Sequence, residues 1–242
     1  MGNSYFQFKQ FRIEQSGCAM KVCTDACIFG AWYASRITNT SHILDIGSGT
    51  GLLMMMLAQK TAAEIHGIEI EPGCYQQLVE NTSGHEWSTR MRTFHGDARA
   101  FSFPVKYDFI ISNPPFYDND LSSDHKGRQL AMHSSALKLD ELVGIIGNNL
   151  SSDGRAGILL PAHRSDAFDK AAERSGLMAV ERLLVRHTAK HPWFRIITTY
   201  VHTSTDSRDS INENIAIDEL TIRDAGGVYT VEFLSLLNDY YL

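Results

Sequence analysis

The 242-residue chain lacks any apolar run approaching the ~18 residues of a membrane-spanning helix. Its start, Met1-Gly2-Asn3-Ser4-Tyr5-Phe6, lacks the basic and apolar segments of a secretory leader. Repeats, low-complexity tracts and blocks of like charge are missing, which argues against solenoids and charged tails. Basic residues are not in excess. The 22 Lys and Arg stand against 28 Asp and Glu, for a formal net charge of −6. That balance argues against broad, sequence-independent nucleic-acid binding by the whole surface, but it leaves room for a local basic patch. Cysteine is scarce: Cys18, Cys23, Cys27 and Cys74. No second pair completes a zinc set, so free thiols in a reducing cytosol and no metal are expected. Together these absences point to a cytoplasmic protein.

What is present is a 43% hydrophobic content, enough for a packed core, arranged as short β-branched runs alternating with longer helical segments. Strands are expected at Ile43–Ile46, Ile65–Glu69, Arg92–His95, Phe109–Ser112, Ala156–Leu160, Ala179–Val185 and Ile196–His202. Helices are expected at Gly51–Gln59, Tyr75–Asn81, Leu139–Leu150 and Ser165–Ser175, with one more near Asp25–Ala34 and an amphipathic one in Tyr229–Tyr241. The βαβα order implies a mostly parallel sheet covered on both faces. The last two strands are joined without a helix and are expected to form an antiparallel hairpin. Residues 1–35 read as an N-terminal extension and 36–242 as the main domain.

The stretch Leu44-Asp45-Ile46-Gly47-Ser48-Gly49-Thr50-Gly51 leaves a strand and opens a helix. Glycines there let the backbone turn sharply and approach a ligand, at the strand end where open α/β sheets bind ligands. A phosphate loop would need Gly-Lys-Ser/Thr, but Gly51 is followed by Leu52-Leu53. A dinucleotide fingerprint would need a small residue where Leu52 stands. The pattern around Asp45, Gly47, Gly49 and Gly51 instead resembles motif I of the Rossmann-like methyltransferases. The resemblance implies that the loop lies against the methionine part of S-adenosylmethionine, whose amine makes an acid such as Asp45 electrostatically sensible.

Glu69 ends the next strand, where a carboxylate can accept hydrogen bonds from two ribose hydroxyls; Glu71 is its rival. The following strand ends at His95-Gly96-Asp97-Ala98. Asp97 resembles the family residue that accepts from the cofactor adenine's amine, with Ala98 offering its backbone N–H; Asp97 as a cap of the next segment is the alternative.

Asn113-Pro114-Pro115-Phe116 follows the apolar strand Phe109–Ser112. Two prolines cannot continue a ladder, and Pro114 holds Asn113 extended. The plain reading is a rigid loop, yet it pairs an amide with an aromatic ring at a strand's carboxyl end. An aryl amine is a poor nucleophile because its lone pair is delocalised. Two acceptors on its hydrogens, the side-chain oxygen of Asn113 and the carbonyl of Pro114, favour a pyramidal nitrogen and stabilise the charge that develops on it. Phe116 would stack on the base. The tetrapeptide resembles that of the adenine-N6, cytosine-N4 and protein-glutamine methyltransferases.

The N-terminal segment narrows this choice. Phe6-Gln7-Phe8-Lys9-Gln10-Phe11, Met20-Lys21-Val22-Cys23-Thr24-Asp25 and the closing Tyr240-Tyr241-Leu242 resemble the tRNA1(Val) adenine-37-N6-methyltransferases. The resemblance implies a Rossmann-like class I α/β fold. It should have a seven-stranded, mostly parallel sheet, helices on both faces and a C-terminal antiparallel hairpin. It implies S-adenosyl-L-methionine as cofactor, tRNA as substrate, and an extension 1–35 packed on the cofactor site with Lys21 and Thr24 near the methionine end. No obligate protein partner is inferred. Loop recognition needs phosphate contacts, for which Lys126, Arg128, Lys190 and Arg195 are the candidates. Rival readings are a protein-glutamine methyltransferase, a DNA adenine methyltransferase and a cofactor-binding module without catalysis.

Overall fold

The computed structural model describes residues 3–38, 40–115, 137–203 and 215–241. A small antiparallel hairpin, β1 (Tyr5–Gln7) and β2 (Arg12–Glu14), leads into helix α1 (Thr24–Ala34). The alternating part follows as β3 (His42–Ile46), α2 (Leu52–Ala58), β4 (Glu64–Glu69), α3 (Pro72–Ser83), β5 (Met91–His95) and β6 (Tyr107–Ser112). After it come α4 (Leu139–Asn149), β7 (Leu150–Pro161), α5 (Ser165–Arg174), β8 (Leu177–Arg186), β9 (Arg195–His202), β10 (Ala216–Thr221) and α6 (Val231–Leu237).

The main sheet has eight strands in the order β10-β8-β9-β7-β6-β3-β4-β5. Strands β5, β4, β3, β6 and β7 are parallel. Strand β9 runs antiparallel between β7 and β8, which gives the expected mixed end. The sequence reading left out β10, which pairs parallel with β8 at the sheet edge. In Ala-Ile-Asp-Glu-Leu-Thr only Leu220 is fully buried, so the strand carries no alternating apolar signal. Its Asp218 and Glu219 place charge on an exposed edge, a usual protection against pairing with another chain.

Alternation along the strands sorts the core onto the two faces. Ile43, Phe109, Ile111 and Leu159 pack with α1 and α2, whereas Leu44, Ile46, Ile110, Ile158 and Leu160 pack with α4 and α5. Helix α2, Leu-Leu-Met-Met-Met-Leu-Ala, is apolar all round and is buried along its whole length. Gly30 of α1 sits so close to it that a Cβ there would lie 2.6 Å from the Met56 sulfur. The chain winds outward from β3 to β5 and then returns to place β6 on the other side of β3. This reversal leaves a crevice at the carboxyl ends of β3 and β6.

The free-thiol expectation fails for two of the four cysteines. Cys18 and Cys74 form a disulfide with their Cα atoms 4.6 Å apart, and Cys23 and Cys27 remain free. The bond joins the N-terminal segment to the first turn of α3. Nearby, the Gly17 N–H donates to the Gln77 side-chain oxygen at 3.0 Å. Residues far apart in sequence meet only because the extension folds back along α3, a contact invisible in cysteine spacing.

Candidate active site

All three loop glycines have positive φ: 74° at Gly47, 55° at Gly49 and 84° at Gly51. Side chains rarely tolerate this region, so the residue type is set by the turn. Added Cβ atoms at Gly47 and Gly49 would meet nothing within 4 Å among the described residues. The Gly47 and Ser48 N–H groups donate to the Ile68 carbonyl at 3.0 and 3.1 Å, which anchors the loop to the end of β4.

Asp45 lies beneath this loop, fully buried, and neither carboxylate oxygen has a hydrogen-bond partner among the described residues. The Ser48 hydroxyl, although close, donates to the backbone carbonyl of Asp45 at 2.9 Å. Burial and the nearby Glu69 charge push the Asp45 carboxyl up to about 8. An unpartnered buried acid is costly; protonation or an approaching cation relieves it. The residue therefore fits the ammonium-bearing methionine end of the cofactor implied by the sequence.

Glu69, nearly buried, accepts from the Gly49 N–H at 2.8 Å through one oxygen and from the Glu71 N–H at 2.8 Å through the other. Each carboxylate oxygen retains a second lone pair, so hydroxyl donors can still be accommodated. Glu71, the rival acid, instead caps α3: its side chain accepts from the Cys74 N–H at 2.6 Å. The sequence favours Glu69 because it directly ends the apolar run Ile65–Ile68, and Glu71 is engaged at the helix start instead. Asp97 is held by Arg99, whose Nη2 and Nε lie 2.6 and 2.9 Å from the carboxylate. This hydrogen bonding keeps the Asp97 carboxyl below the usual carboxylate range. Arg99 also reaches Glu141 at 3.6 Å. Ala98 follows with its side chain against the α4 side of the core.

Asn113 and buried Pro114 leave β6 beside the glycine loop. The buried Ser112 hydroxyl donates to the Ile46 carbonyl at 2.8 Å and links the two strand ends. Phe116, the last residue of the tetrapeptide, lies outside the described residues, as do Lys126 and Arg128.

A cavity of about 590 Å³ has Asn113 in its wall. Met20, Lys21 and Asp25 face it from the N-terminal side, His163 from the segment after β7, and Trp193, Phe194 and Arg195 from the β8–β9 turn. Lys21 donates through Nζ to the Cys18 carbonyl at 2.9 Å and also to the Gln15 carbonyl. Thr24 begins α1 and lines a neighbouring cavity with His187 and Phe194. Arg195 donates through Nε to Asp25 at 2.6 Å. Burial works against the Asp25 carboxylate, but hydrogen bonds from Cys23 and Arg195 and the Arg195 charge outweigh it and hold its pKa below the usual range. Lys190 is exposed at the turn, where the Thr188 hydroxyl accepts from the Lys190 N–H at 3.3 Å. The sequence reading had no role for Trp193 or Phe194. Their only signal was two adjacent aromatic residues in a turn that connects strands.

Among the described residues no helix is long and apolar enough to cross a membrane. No group of three or more His, Cys, Asp or Glu among them is placed to hold a metal.

Residues 32–141 match the Methyltransferase small domain family. The chain is 35% identical to a tRNA1(Val) (adenine(37)-N6)-methyltransferase of Dyadobacter fermentans, over 99% of this chain and 98% of the relative. It is 36% identical to the enzyme of the same name from Cytophaga hutchinsonii, over 100% and 99% of the two chains. Among solved structures, a "predicted O-methyltransferase" from Agrobacterium tumefaciens superposes with a TM-score of 0.64 at 15% identity, covering 88% of this chain and 95% of that one. A putative RNA methyltransferase from Pyrococcus horikoshii gives 0.56 at 19% identity, covering 82% and 95%. At such identities these structures speak for the fold, a class I methyltransferase sheet.

Proposed function

This chain belongs to the tRNA1(Val) (adenine(37)-N6)-methyltransferase family, and on that footing we propose that it methylates adenine-37, beside the anticodon of a valine tRNA, on N6. It is an S-adenosyl-L-methionine-dependent methyltransferase of the exocyclic amine of adenine in tRNA. One observation carries the site assignment: Asn113 lines the cavity and follows Ser112, whose hydroxyl ties that strand end to Ile46, the residue before the glycine loop.

S-adenosylmethionine supplies an electrophilic methyl group on a sulfonium centre. The chain's own groups do the rest. The loop of Gly47, Gly49 and Gly51, with Asp45 beneath it, takes the methionine end; Glu69 takes the ribose hydroxyls. Asp97 and Ala98 take the cofactor adenine, and Lys21 and Thr24 bring the extension 1–35 over the site. The Asn113 side-chain oxygen and the Pro114 carbonyl accept from the two hydrogens of the target amine and aim its lone pair. Phe116 of the same loop stacks on the base. They stabilise the positive charge that grows on nitrogen, so a strong general base is not needed. Lys126, Arg128 and Lys190 serve the phosphates around the target, whereas Arg195, the fourth cation the sequence offered for that role, is paired with Asp25 and ties the turn to the N-terminal segment.

The enzyme is read as cytoplasmic, without a membrane, metal or obligate protein partner. A labelled-donor assay on bulk tRNA, duplex DNA and protein tests the substrate class. Label in tRNA supports the reading, and label confined to DNA or protein would overturn it.

A further inference from the structure

The cavity beside Asn113 has two aromatic residues in one wall, Trp193 and Phe194, and they are not equivalent. The Phe194 ring is already stacked on the His187 ring, with centroids 4.0 Å apart and planes 12° from parallel. It serves as packing within the turn. Trp193 has no such ring partner among the described residues. The Arg186 guanidinium lies 4.3 Å from its centroid, and Arg186 is itself fixed by a 2.9 Å hydrogen bond from Nε to the Thr221 hydroxyl. The indole is half-buried and held in position by a cation anchored to the edge strand.

The turn that carries Trp193 is also tied to the opposite wall. Arg195 follows it by two residues and bonds Asp25 of α1 at 2.6 Å. The distance between the N-terminal segment and the turn is therefore set before any ligand arrives. A volume of about 590 Å³ lies within the ~300–1,000 Å³ of small-molecule sites. Besides Trp193, the cavity presents Met20, an apolar surface, and Asn113, an amide. Asp25 and Arg195 in the same lining pair with each other and Lys21 is bonded to the Gln15 and Cys18 carbonyls, so a planar, neutral, amine-bearing base fits the Trp193, Met20 and Asn113 walls. Enzymes that act on a base bring it out of its stack and replace the lost stacking with aromatic or apolar side chains.

We propose that Trp193 is a stacking wall of the acceptor pocket, in addition to the Phe116 contact proposed above, a surface against which the extruded adenine lies while Asn113 holds its amine. The proposal rests on tRNA adenine being the acceptor. It assigns Trp193 to the base rather than to the cofactor.

Full-length Trp193→Ala and Trp193→Phe enzymes test it, through kcat and KM for tRNA, calorimetric affinity for S-adenosylmethionine, and thermal stability. Base–aromatic stacking of roughly 1–3 kcal/mol corresponds to about a five- to 150-fold fall in kcat/KM for tRNA in the alanine variant. Cofactor affinity should stay within twofold, and phenylalanine should restore most of the loss. A second readout uses tRNA with 8-vinyladenosine, a fluorescent base that keeps the 6-amine, at the methylated position. Bound to wild type, the extruded base should be quenched by the indole; bound to W193A, it should be bright. Equal brightness, an unchanged kcat/KM in W193A, or a loss matched by weaker cofactor binding would overturn the assignment. Wild-type enzyme that methylates tRNA normally while W193A matches it removes this pocket alone. Wild-type enzyme that leaves tRNA unmethylated removes the underlying reading as well.

Discussion

The Ser112 hydroxyl and the Ile46 carbonyl, 2.8 Å apart and buried, fasten the strand end that carries Asn113 to the one that opens the glycine loop. The bond fixes the Asn113 amide, proposed to hold the acceptor, relative to the glycine loop, proposed to hold the donor. Misplacement of reacting groups by a fraction of an ångström is expensive in rate.

Ser112→Ala therefore should cost about 1 kcal/mol of stability, the usual worth of one buried hydrogen bond. Its effect on turnover should be larger in proportion, with kcat down about tenfold and cofactor affinity little changed. Denaturant melts and single-turnover assays on the same preparation check both. A loss of stability with full kcat would show that the bond does not position Asn113.

Asp45 makes a pH prediction. Its carboxyl is pushed up to about 8 when the site holds no cation. In the unfolded chain it titrates near the ordinary Asp value of about 3.9. The folded state thus binds the extra proton between those values, so stability falls as pH rises from about 4 to about 8 and then levels off. A cofactor ammonium would favour the charged form, so binding at neutral pH should release a proton. Calorimetry in buffers of different ionisation heats should register that release, and Asp45→Asn should abolish it. Wild-type binding with no proton release at pH 7 would count against Asp45 as the group that meets the ammonium.

Much of this fold was legible because β3, β6 and β7 read as apolar runs and because Asp45-Ile46-Gly47 marks a strand-to-loop transition. Asn113 was legible because paired prolines cannot belong to a strand. What stayed hidden was long-range. Strand β10 has one fully buried residue and no alternation. The β1–β2 pair is three residues a side, too short to show a period. The Cys18–Cys74 bond depends on the extension folding along α3. Trp193 carries no motif, and only its place in the cavity wall gives it meaning. Glu69 is favoured over Glu71 in the sequence because it directly ends an apolar run, whereas the different hydrogen bonds of the two acids were not legible there.

The two hairpin cations should behave differently. Lys190 is exposed, while Arg195 is ion-paired to Asp25. Lys190→Glu should weaken tRNA binding, lower the salt dependence by about one phosphate contact, and leave the melting temperature alone. Arg195→Met should cost about 1–3 kcal/mol of stability because it strands a partly buried carboxylate. A double-mutant cycle with Asp25→Asn should recover a coupling of that sign. Equal, purely electrostatic effects of both cations on tRNA affinity, without coupling to Asp25, would contradict the distinction.

The central claim is that Asn113 presents an adenine amine of tRNA for methyl transfer. Its most direct test is mass spectrometry of nuclease-digested valine tRNA after incubation with S-adenosylmethionine and either wild type or Asn113→Ala. The account predicts N6-methyladenosine in the anticodon-loop fragment with wild type. It predicts none above background with the variant, whose cofactor affinity stays near normal. N6-methyladenosine formed equally by the variant, or its absence with wild type, would contradict the account.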